Sequence, residues 1–313
     1  MRLLITGGAG CLGSNLVEYF LPQGFKILVI DNFETGKRHF LPESHPHLQI
    51  IEGSVADFSL MEQAFSSFQP THIIHSAASY KDPNNWLADI RVNVEGSINV
   101  AMAAKKISVQ KIINFQTALC YGRPQQVPIP VHAPMAPFTS YGISKTAGEQ
   151  FLMMSGLPCV SLRLANITGP RLAVGPIPTF YTRLKEKKSC FCSATVRDFL
   201  DMEDFFSLVE IVLRQNVPSD VYNVSTGKGH SIKDVFEVVR NYLGVELEDE
   251  VSIVPPNDDD VPVVVLDPRE TEVKLGWKSK VPFEESLRRT MEWYDRYGVG
   301  AVFSHLKPGN VEN

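Results

Sequence analysis

The sequence lacks a strong excess of charge, a long apolar run and a cysteine pattern typical of disulfides. Its 313 residues carry a formal net charge of −5, so neither nucleic acid nor a membrane is the expected partner. No apolar run approaches the roughly 18 residues of a membrane span, and the N-terminus has no signal-peptide layout. The five cysteines are scattered and odd in number, which suits reduced thiols in a cytoplasm. We therefore expect a cytoplasmic globular protein of one large or two modest domains.

Metal ligands are also lacking. Cys190 and Cys192 flank Phe191, but no His or Cys stands at ligand spacing from them. This segment predicts a strand with two free thiols and no metal site.

What the sequence does have is a glycine-rich turn between two apolar runs. The run 2–6 is followed by Gly7, Gly10 and Gly13, and a helical pattern then leads to a second run that ends at Asp31. Glycines let the backbone approach a pyrophosphate at the positive end of a helix. Asp31 can accept hydrogen bonds from ribose hydroxyls and would repel a 2′-phosphate. NAD is therefore the favoured cofactor, while Lys37 and Arg38 keep NADP open.

A second motif lies at Tyr141-Gly142-Ile143-Ser144-Lys145. Residues i and i+4 share one face of a helix, which places the Lys145 ammonium beside the Tyr141 phenol. A fixed cation favours the phenolate and can bring its pKa toward the working range. The motif predicts Tyr141 as a base and Lys145 as its partner.

Together, the G-x-x-G-x-x-G spacing and the Tyr-x-x-x-Lys motif resemble the extended short-chain dehydrogenase/reductase family. The branch most similar is the NAD-dependent epimerase/dehydratase branch acting on nucleotide sugars, in particular the enzymes of bacterial lipopolysaccharide (O-antigen) biosynthesis. This resemblance, like the alternating strands and helices, predicts an α/β Rossmann-type doubly wound parallel sheet with a smaller C-terminal α/β substrate-binding lobe. We expect residues 1–168 to form the NAD-binding domain, with 197–227 returning to it, and 169–313 to form most of the substrate lobe.

The resemblance also implies roles for individual residues. Thr117, in the stretch Thr117–Gly122, takes the place of a catalytic hydroxyl that relays a proton to Tyr141; a plain strand-end threonine is the alternative. Asp57 faces the adenine, or else caps a helix. The implied cofactor-binding set is Gly7, Gly10, Cys11, Leu12, Gly13, Asp31, Asn32, Val55, Asp57, Ser76, Ala77, Ala78, Asn93, Tyr141 and Lys145.

The substrate side is assigned by the same resemblance. Its predicted binding residues are Lys81, Thr117, Asn166, Arg171 and Arg197. Arg197 is the best diphosphate anchor, because a guanidinium fork suits bidentate phosphate contact; Lys81 and Arg171 could instead be solvated side chains. One departure is that the stretch 256–260 has no arginine where the family often carries one on UDP. Its acidic residues Asp258–Asp260 are expected to be solvated.

The segment after Thr117 favours one reaction over another. Related dehydratases place Asp-Glu there as acid and base, whereas this chain has Ala118 and Leu119. We therefore predict a 4-epimerase of a UDP-hexose, UDP-N-acetylhexosamine or UDP-hexuronic acid. A dehydratase with an atypical acid or base, such as Cys120, a reductase of another carbonyl compound and a non-catalytic NAD-binding regulator remain alternatives.

A homodimer is expected from the resemblance. In the family, the helix predicted over 85–106 and the helix of the Tyr-x-x-x-Lys motif form a four-helix dimer interface.

Overall fold

The computed structural model describes residues 1–80, 82, 84–246, 249–257 and 260–300. Strands and helices alternate along most of this length. The strands are β1 (Arg2–Thr6), β2 (Lys26–Asp31), β3 (Leu48–Glu52), β4 (His72–His75), β5 (Lys111–Thr117), β6 (Cys159–Leu164), β7 (Asn166–Thr168), β8 (Phe191–Ser193), β9 (Val196–Arg197), β10 (Phe199–Asp201), β11 (Val221–Val224), β12 (His230–Ser231), β13 (Ser252–Val254) and β14 (Val263–Val264). The helices are α1 (Cys11–Phe20), α2 (Phe58–Phe68), α3 (Trp86–Asp89), α4 (Gly96–Ala104), α5 (Ser140–Met154), α6 (Pro176–Lys185), α7 (Met202–Arg214), α8 (Ile232–Leu243), α9 (Arg269–Leu275) and α10 (Phe283–Tyr297).

Within the described residues, seven parallel strands form the central sheet, in the order β11-β6-β5-β4-β1-β2-β3. The chain moves outward from β1 to β3 and then returns to β4 on the other side of β1. Ligands of such sheets bind at this reversal, beyond the carboxyl ends of the strands. The predicted doubly wound fold is confirmed, and the segments after β1 and β4 meet at the reversal.

Side chains of the inner strands alternate between two hydrophobic cores. Leu3 and Ile5 of β1 pack with α1 and α7, whereas Leu4 packs with α2, α4 and α5 on the opposite face. Burial on both faces explains why these strands read as nearly continuous apolar runs in the sequence. The two helical layers hold the sheet rigid beneath its carboxyl edge.

A smaller α/β lobe stands beyond that edge, as predicted. Its core joins α6, α8 and α10, with Phe236, Leu287 and Met291 fully or almost fully buried. Three small sheets complete it, pairing β10 with β7, β13 with β8, and β9 with both β12 and β14. Arg197 of β9 is therefore held between strands of this lobe.

The helix predicted over 85–106 is interrupted. Between α3 and α4, residues Ile90–Glu95 form a π-helical turn. The Ser97 hydroxyl donates to the Asn93 carbonyl at 2.7 Å, and a Cβ on Gly148 of α5 would lie 2.2 Å from that oxygen. The wide π-helical turn thus gives α5 room to approach closely. The apolar periodicity of the segment 85–106 does not reveal this requirement, because the requirement comes from another helix.

Two other surface features are relevant to partners. In the part of the chain described, no helix is long and apolar enough to cross a membrane. A stripe of exposed apolar side chains follows α5 at helical spacing, formed by Ile143, Phe151 and Met154. Met102 of the adjacent α4 is also exposed.

Candidate active site

The glycine turn after β1 is packed so closely that side chains are excluded from two of its positions. Gly7 has a φ of 66°, and a Cβ there would lie 2.7 Å from the backbone of Ala77. A Cβ on Gly13 would lie 2.4 Å from the Gly7 carbonyl oxygen, whereas at Gly10 the same contact would be 3.3 Å. Cys11 is the first residue of α1, and the first N–H groups of a helix have no partner within it. The turn therefore offers an anion site at the reversal of the sheet.

The side chains of Cys11 and Leu12, at the start of α1, are both packed within the protein. Leu12 packs against the α1 core, and the Cys11 thiol lies 3.5 Å from the Pro170 carbonyl oxygen. Burial raises the pKa of the Cys11 thiol to about 12. The Cys11 thiol is therefore uncharged and packs beside the turn.

Asp31 ends β2 with its carboxylate fixed in place. Its two oxygens accept the N–H groups of Ala9 and Phe33, both at 2.8 Å. Burial raises the pKa of Asp31, and the two backbone hydrogen bonds oppose that rise. Carboxylate oxygens keep further lone pairs for ribose hydroxyls, which fits the role predicted for Asp31. Asn32, which follows, is exposed and accepts the Glu34 N–H at 3.2 Å.

Of the two residues that kept NADP open, Arg38 has its guanidinium bound within its own loop, whereas Lys37 is bound through its backbone. Arg38 donates to the carbonyl oxygens of Leu41 and Pro42, at 3.5 and 3.3 Å. Lys37 is exposed, and its N–H donates to the Ala9 carbonyl oxygen at 3.0 Å. The segment after Asp31 therefore folds back over the glycine turn.

The end of β4 is held by a buried histidine. His75 Nδ1 lies 2.8 Å from the Thr6 hydroxyl, and Nε2 lies 3.0 Å from the Ser97 hydroxyl. Because Ser97 donates its proton to the Asn93 carbonyl, it accepts from Nε2, and Thr6 donates to Nδ1. Burial and Lys145 lower the pKa of His75 to about 3. His75 is thus a neutral packing residue and not an acid or base.

Ser76, Ala77 and Ala78 follow β4 beside the glycine turn. The Ser76 and Ala77 N–H groups donate to the Thr6 carbonyl and hydroxyl oxygens, at 3.2 and 3.3 Å. Their small side chains leave the backbone beside the turn uncovered, and a contact with the cofactor there stays a prediction.

Asn93 joins the next residues of this segment to α5. Its side chain accepts the Ser79 N–H and donates to the Ser79 carbonyl, each at 2.9 Å, and donates to the Ser144 hydroxyl at 3.0 Å. Both amide hydrogens are thus used within the protein. The Asn93 side chain therefore holds the Ser79 backbone against α5. Its predicted contact with the cofactor stays a prediction.

Two residues predicted near the adenine lie after β3. Val55 is buried, and its carbonyl oxygen accepts the Asn99 side chain at 3.0 Å. Asp57 caps α2 by accepting the Leu60 N–H at 3.0 Å. The helix-cap alternative for Asp57 is present, and an adenine contact stays a prediction.

Helix α5 carries Tyr141 and Lys145 to the same edge. The Thr139 side chain caps its first turn by accepting the Gly142 N–H at 3.1 Å. Lys145 is 5% exposed, and burial lowers its pKa to about 8, although Glu149 opposes that change. The ammonium thus stays mostly charged at neutral pH.

The prediction that Lys145 lowers the pKa of Tyr141 is wrong for the protein by itself. Burial is the largest cause of a raised pKa at Tyr141, followed by Tyr80 and Asp89. Tyr80 packs edge-on, with its ring centroid 6.4 Å from that of Tyr141. The i, i+4 spacing places Lys145 on the same helix face as Tyr141. Desolvation of the phenol and its neighbours from other segments nevertheless raise the pKa of Tyr141.

Thr117 ends β5 with its hydroxyl available as a donor. The oxygen accepts the Leu119 N–H at 3.2 Å, so the hydroxyl hydrogen remains free to be given to a ligand. Gln116 accepts the Thr117 N–H at 2.8 Å and donates to the Lys145 carbonyl oxygen at 3.0 Å. This amide fixes the threonine relative to α5, and sequence reasoning did not identify it.

The residues after Thr117 offer no acid or base. Ala118 is buried, Leu119 is partly buried, and Cys120 is fully buried among Tyr121, Ile129 and Leu266. Burial raises the pKa of the Cys120 thiol to about 12. Cys120 therefore behaves as a small hydrophobic residue.

The predicted substrate residues are spread over several segments. Asn166 is exposed at the start of β7 and donates to the Asp198 carbonyl oxygen at 3.0 Å. The Arg171 guanidinium binds α1, with Asn15 at 2.7 Å and Glu18 at 2.6 Å. Arg171, predicted to bind substrate or else to be a solvated side chain, is thus paired within the protein, and its contact with substrate stays a prediction. Lys81 lies outside the described residues.

Arg197 is paired with the acidic loop that was predicted to be solvated. Its guanidinium lies 2.5 Å from Asp260, which is 24% exposed at its side chain. The solvated-loop prediction is therefore wrong for Asp260, because a desolvated guanidinium recruits the nearest anion; Asp258 and Asp259 lie outside the described residues. Arg197 is thus paired with a carboxylate of this chain, and its contact with a diphosphate stays a prediction.

The residues present fit NAD. The glycine turn leaves no room for a side chain at Gly7 or Gly13, and Asp31 stands 18 residues after Gly13 at the end of the adjacent strand. Residues 3–225 match the NAD dependent epimerase/dehydratase family. The chain belongs to that family. The predicted family and the NAD cofactor of that family are thereby confirmed.

Solved structures and curated relatives agree. The Bordetella bronchiseptica enzyme WbmG, solved in complex with NAD and UDP, is 63% identical over 99% of both chains, with a TM-score of 0.94. The enzyme WbmH of the same organism, in complex with NAD+, is 39% identical, with a TM-score of 0.90, over 95% of this chain and 99% of that one. The UDP-glucose 4-epimerase of Halalkalibacterium halodurans is 27% identical over 96% of this chain and 97% of its own.

Several residues of the assembled site were not predicted. Tyr80 packs against Tyr141, and Asp89 binds the adjacent Ser140. Gln116 and Thr139 fix the end of β5 and the start of α5. Thr139 alone had a local signal, as a β-branched hydroxyl residue directly before a helix. The others depend on contacts between segments far apart in the chain.

Proposed function

We propose that the protein is an NAD-dependent 4-epimerase of a UDP-sugar. One observation carries the proposal. The site holds the hydroxyl groups of Tyr141 and Thr117, but the residues after Thr117 are Ala118, Leu119 and a buried Cys120. A hydroxyl group can be deprotonated at this site, but the adjacent positions supply no second acid or base for the removal of water. Transient oxidation followed by reduction needs no such pair.

The side chains divide the work as follows. NAD, when bound, supplies reversible hydride acceptance at carbon 4 of the sugar. Tyr141 removes the hydroxyl proton of that carbon and returns it in the second half of the reaction, and Thr117 donates a hydrogen bond to the same oxygen. Lys145, charged below a pH of about 8, supports the phenolate and the ribose.

Epimerisation also requires the oxidised sugar to turn over between the two half reactions. The apolar side chains of Ala118 and Leu119 present no hydrogen-bonding partner that would fix one face of the ring. The nucleotide must meanwhile stay bound, and we assign that role to Arg197 with its diphosphate. The complex of WbmG with UDP supports UDP as the nucleotide.

Product NMR after incubation in deuterated water tests the proposal. The panel contains the gluco and galacto forms of UDP-hexose, UDP-N-acetylhexosamine and UDP-hexuronic acid, which the resemblance to O-antigen enzymes makes the first choices. Inversion at carbon 4 without deuterium uptake at any carbon is expected, because the hydride removed is the hydride returned.

Other outcomes overturn the proposal in identifiable ways. Deuterium at carbon 5 or loss of water establishes a dehydratase. Stoichiometric consumption of added NAD or NADH establishes a net dehydrogenase or reductase, since an epimerase has no net redox change. No conversion of any UDP-sugar contradicts the assigned substrate class.

A further inference from the structure

A buried carboxylate beside Tyr141 has no role in the scheme above. Asp89 ends α3 and is 1% exposed. One oxygen accepts the Ser140 hydroxyl at 2.7 Å. The other, Oδ1, is buried and accepts no hydrogen bond from any residue that the structure describes. A buried oxygen without a hydrogen-bond partner destabilises the folded state, so its presence calls for an explanation.

The position of Asp89 links it to the catalytic helix. Ser140 is the first residue of α5, and Tyr141 is the second. The carboxylate therefore lies at the positive end of the helix that carries the base, where an anion is stabilised. Because Oδ1 shares its charge with no donor in a dry environment, its field acts strongly on nearby groups.

The groups that face Tyr141 are few in the described part of the chain. The Tyr80 ring approaches from the segment after β4, Asp89 lies beside the neighbouring Ser140 from α3, and Lys145 follows one turn later on α5 itself. Asp89 is the anion of this set and Lys145 is the cation. Asp89 raises the pKa of Tyr141, after the larger effects of burial and Tyr80.

We propose that Asp89 is a positioning residue whose buried charge sets the proton affinity of Tyr141 through the start of α5. The inference rests on the proposed function, in which one tyrosine both takes and returns a proton. A phenolate stabilised too strongly by Lys145 and the cofactor would be a weak base, which takes the substrate proton slowly although it returns the proton readily. The Asp89 charge opposes that stabilisation and keeps both half reactions possible.

The test follows the phenol directly, without activity. Protein labelled with ¹³C at the tyrosine Cζ is titrated by NMR with its NAD bound, and Tyr141→Phe assigns the resonance. Asp89→Asn keeps the size of the side chain and removes its charge, so the Tyr141 titration should move to lower pH by about one unit. Asp89→Leu removes the same charge by a second route and serves if the Asn variant does not fold.

Ser140→Ala is the matched control. It removes the hydrogen bond to Asp89 but keeps the charge, so the Tyr141 titration should not move to lower pH. A positioning role also predicts that the acid limb of kcat/KM moves with the titration in Asp89→Asn, whereas a structural role would lower kcat at every pH.

The outcomes separate this inference from the proposed function. An unchanged Tyr141 titration in both Asp89 variants overturns the inference, even if the protein epimerises UDP-sugars. A shifted titration in a protein that converts no UDP-sugar supports the role of Asp89 and overturns the proposed reaction instead.

Discussion

Tyr141 shows how the surroundings of a single residue decide its chemistry. Its spacing from Lys145 identifies it as a base, but burial and two side chains from other segments raise the pKa of its phenol. Phenolate formation therefore requires a further positive contribution, which a bound oxidised nicotinamide would supply. Proton removal by Tyr141 is expected only in the cofactor-loaded enzyme.

Replacement of Tyr141 by Phe tests the assignment. We expect turnover to fall by about 10²–10⁴-fold, the usual contribution of a general base, with NAD content unchanged. Both are measured on purified protein, by a coupled sugar assay and by release of the nucleotide on denaturation. Tyr80→Phe is the matched control, because it removes a neighbouring phenol that has no assigned proton transfer. Equal activity of Tyr141→Phe and wild type would contradict the catalytic role.

His75 predicts how acid affects stability. Its pKa is lowered from 6.5 to about 3 in the folded protein, so between these values the unfolded chain binds more protons. Stability must therefore fall as the pH decreases through this window, by up to about 1.4 kcal/mol per pH unit for one group. Urea unfolding at several pH values measures the slope.

The slope should be smaller in His75→Gln, which cannot be protonated. Exchange of the exposed His39 for Gln is the control and should leave the slope unchanged. An identical slope in His75→Gln and wild type would mean that other groups cause the acid sensitivity.

Among the elements, the glycine turn combines two demands that the sequence presents as one motif. Gly13 is required because backbone atoms of Gly7 and Gly8 leave no room for a Cβ, whereas Gly10 has only one contact at 3.3 Å. We expect the packing of α1 onto β1 to depend on Gly13, and the approach of a phosphate to depend on Gly10. Alanine substitutions can separate these effects.

Gly13→Ala should lower the free energy of unfolding by about 1–3 kcal/mol, as overpacking does, and weaken NAD binding as well. Gly10→Ala should weaken NAD binding with little change in unfolding. Denaturant titration of the NAD-free protein and calorimetric titration with NAD measure the two properties. Similar stability losses in both variants would show that the turn is limited by packing alone.

The loop after β5 and the N-terminus of α5 illustrate a second kind of constraint. Gln116 binds both the Thr117 backbone and the Lys145 carbonyl, so one side chain ties the end of β5 to α5. A buried ion pair between Glu149 and Arg163, 2.9 Å apart, joins the same helix to β6. The active site is thus supported by polar contacts beneath it.

At the scale of the whole molecule, the stripe on α5 suggests how two copies would meet. Ile143, Phe151 and Met154 are 52%, 41% and 73% exposed on one face. Contiguous apolar surface of this kind marks an interaction site, and the family resemblance predicts a homodimer through α4 and α5.

The double variant Phe151→Glu, Met154→Glu should convert a dimer into a monomer, because it places four carboxylates in a twofold interface. Sedimentation velocity measures the change. Val273→Glu is the control, since Val273 is 85% exposed on α9 and outside the stripe. A wild-type monomer, or a dimer unaffected by the double variant, would exclude this interface.

The sequence by itself determined the fold, the family and the cofactor. Local patterns sufficed where the signal is local: apolar runs for buried parallel strands, glycines for a tight turn, and an i, i+4 pair for one helix face. The positions of β1, α1, β3 and the Tyr141–Lys145 helix followed from these patterns, as did the family and its cofactor.

Only the tertiary structure decided the electrostatics and pairing of the site. Tyr141 meets Asp89 and Tyr80, Arg197 meets Asp260, and Arg171 meets α1 through contacts that join residues far apart in the chain. Burial determines how strongly each of these charges acts on neighbouring groups and how strongly water screens it. A pKa or an ion pair depends on everything packed around a group, and one segment of sequence specifies only part of those surroundings.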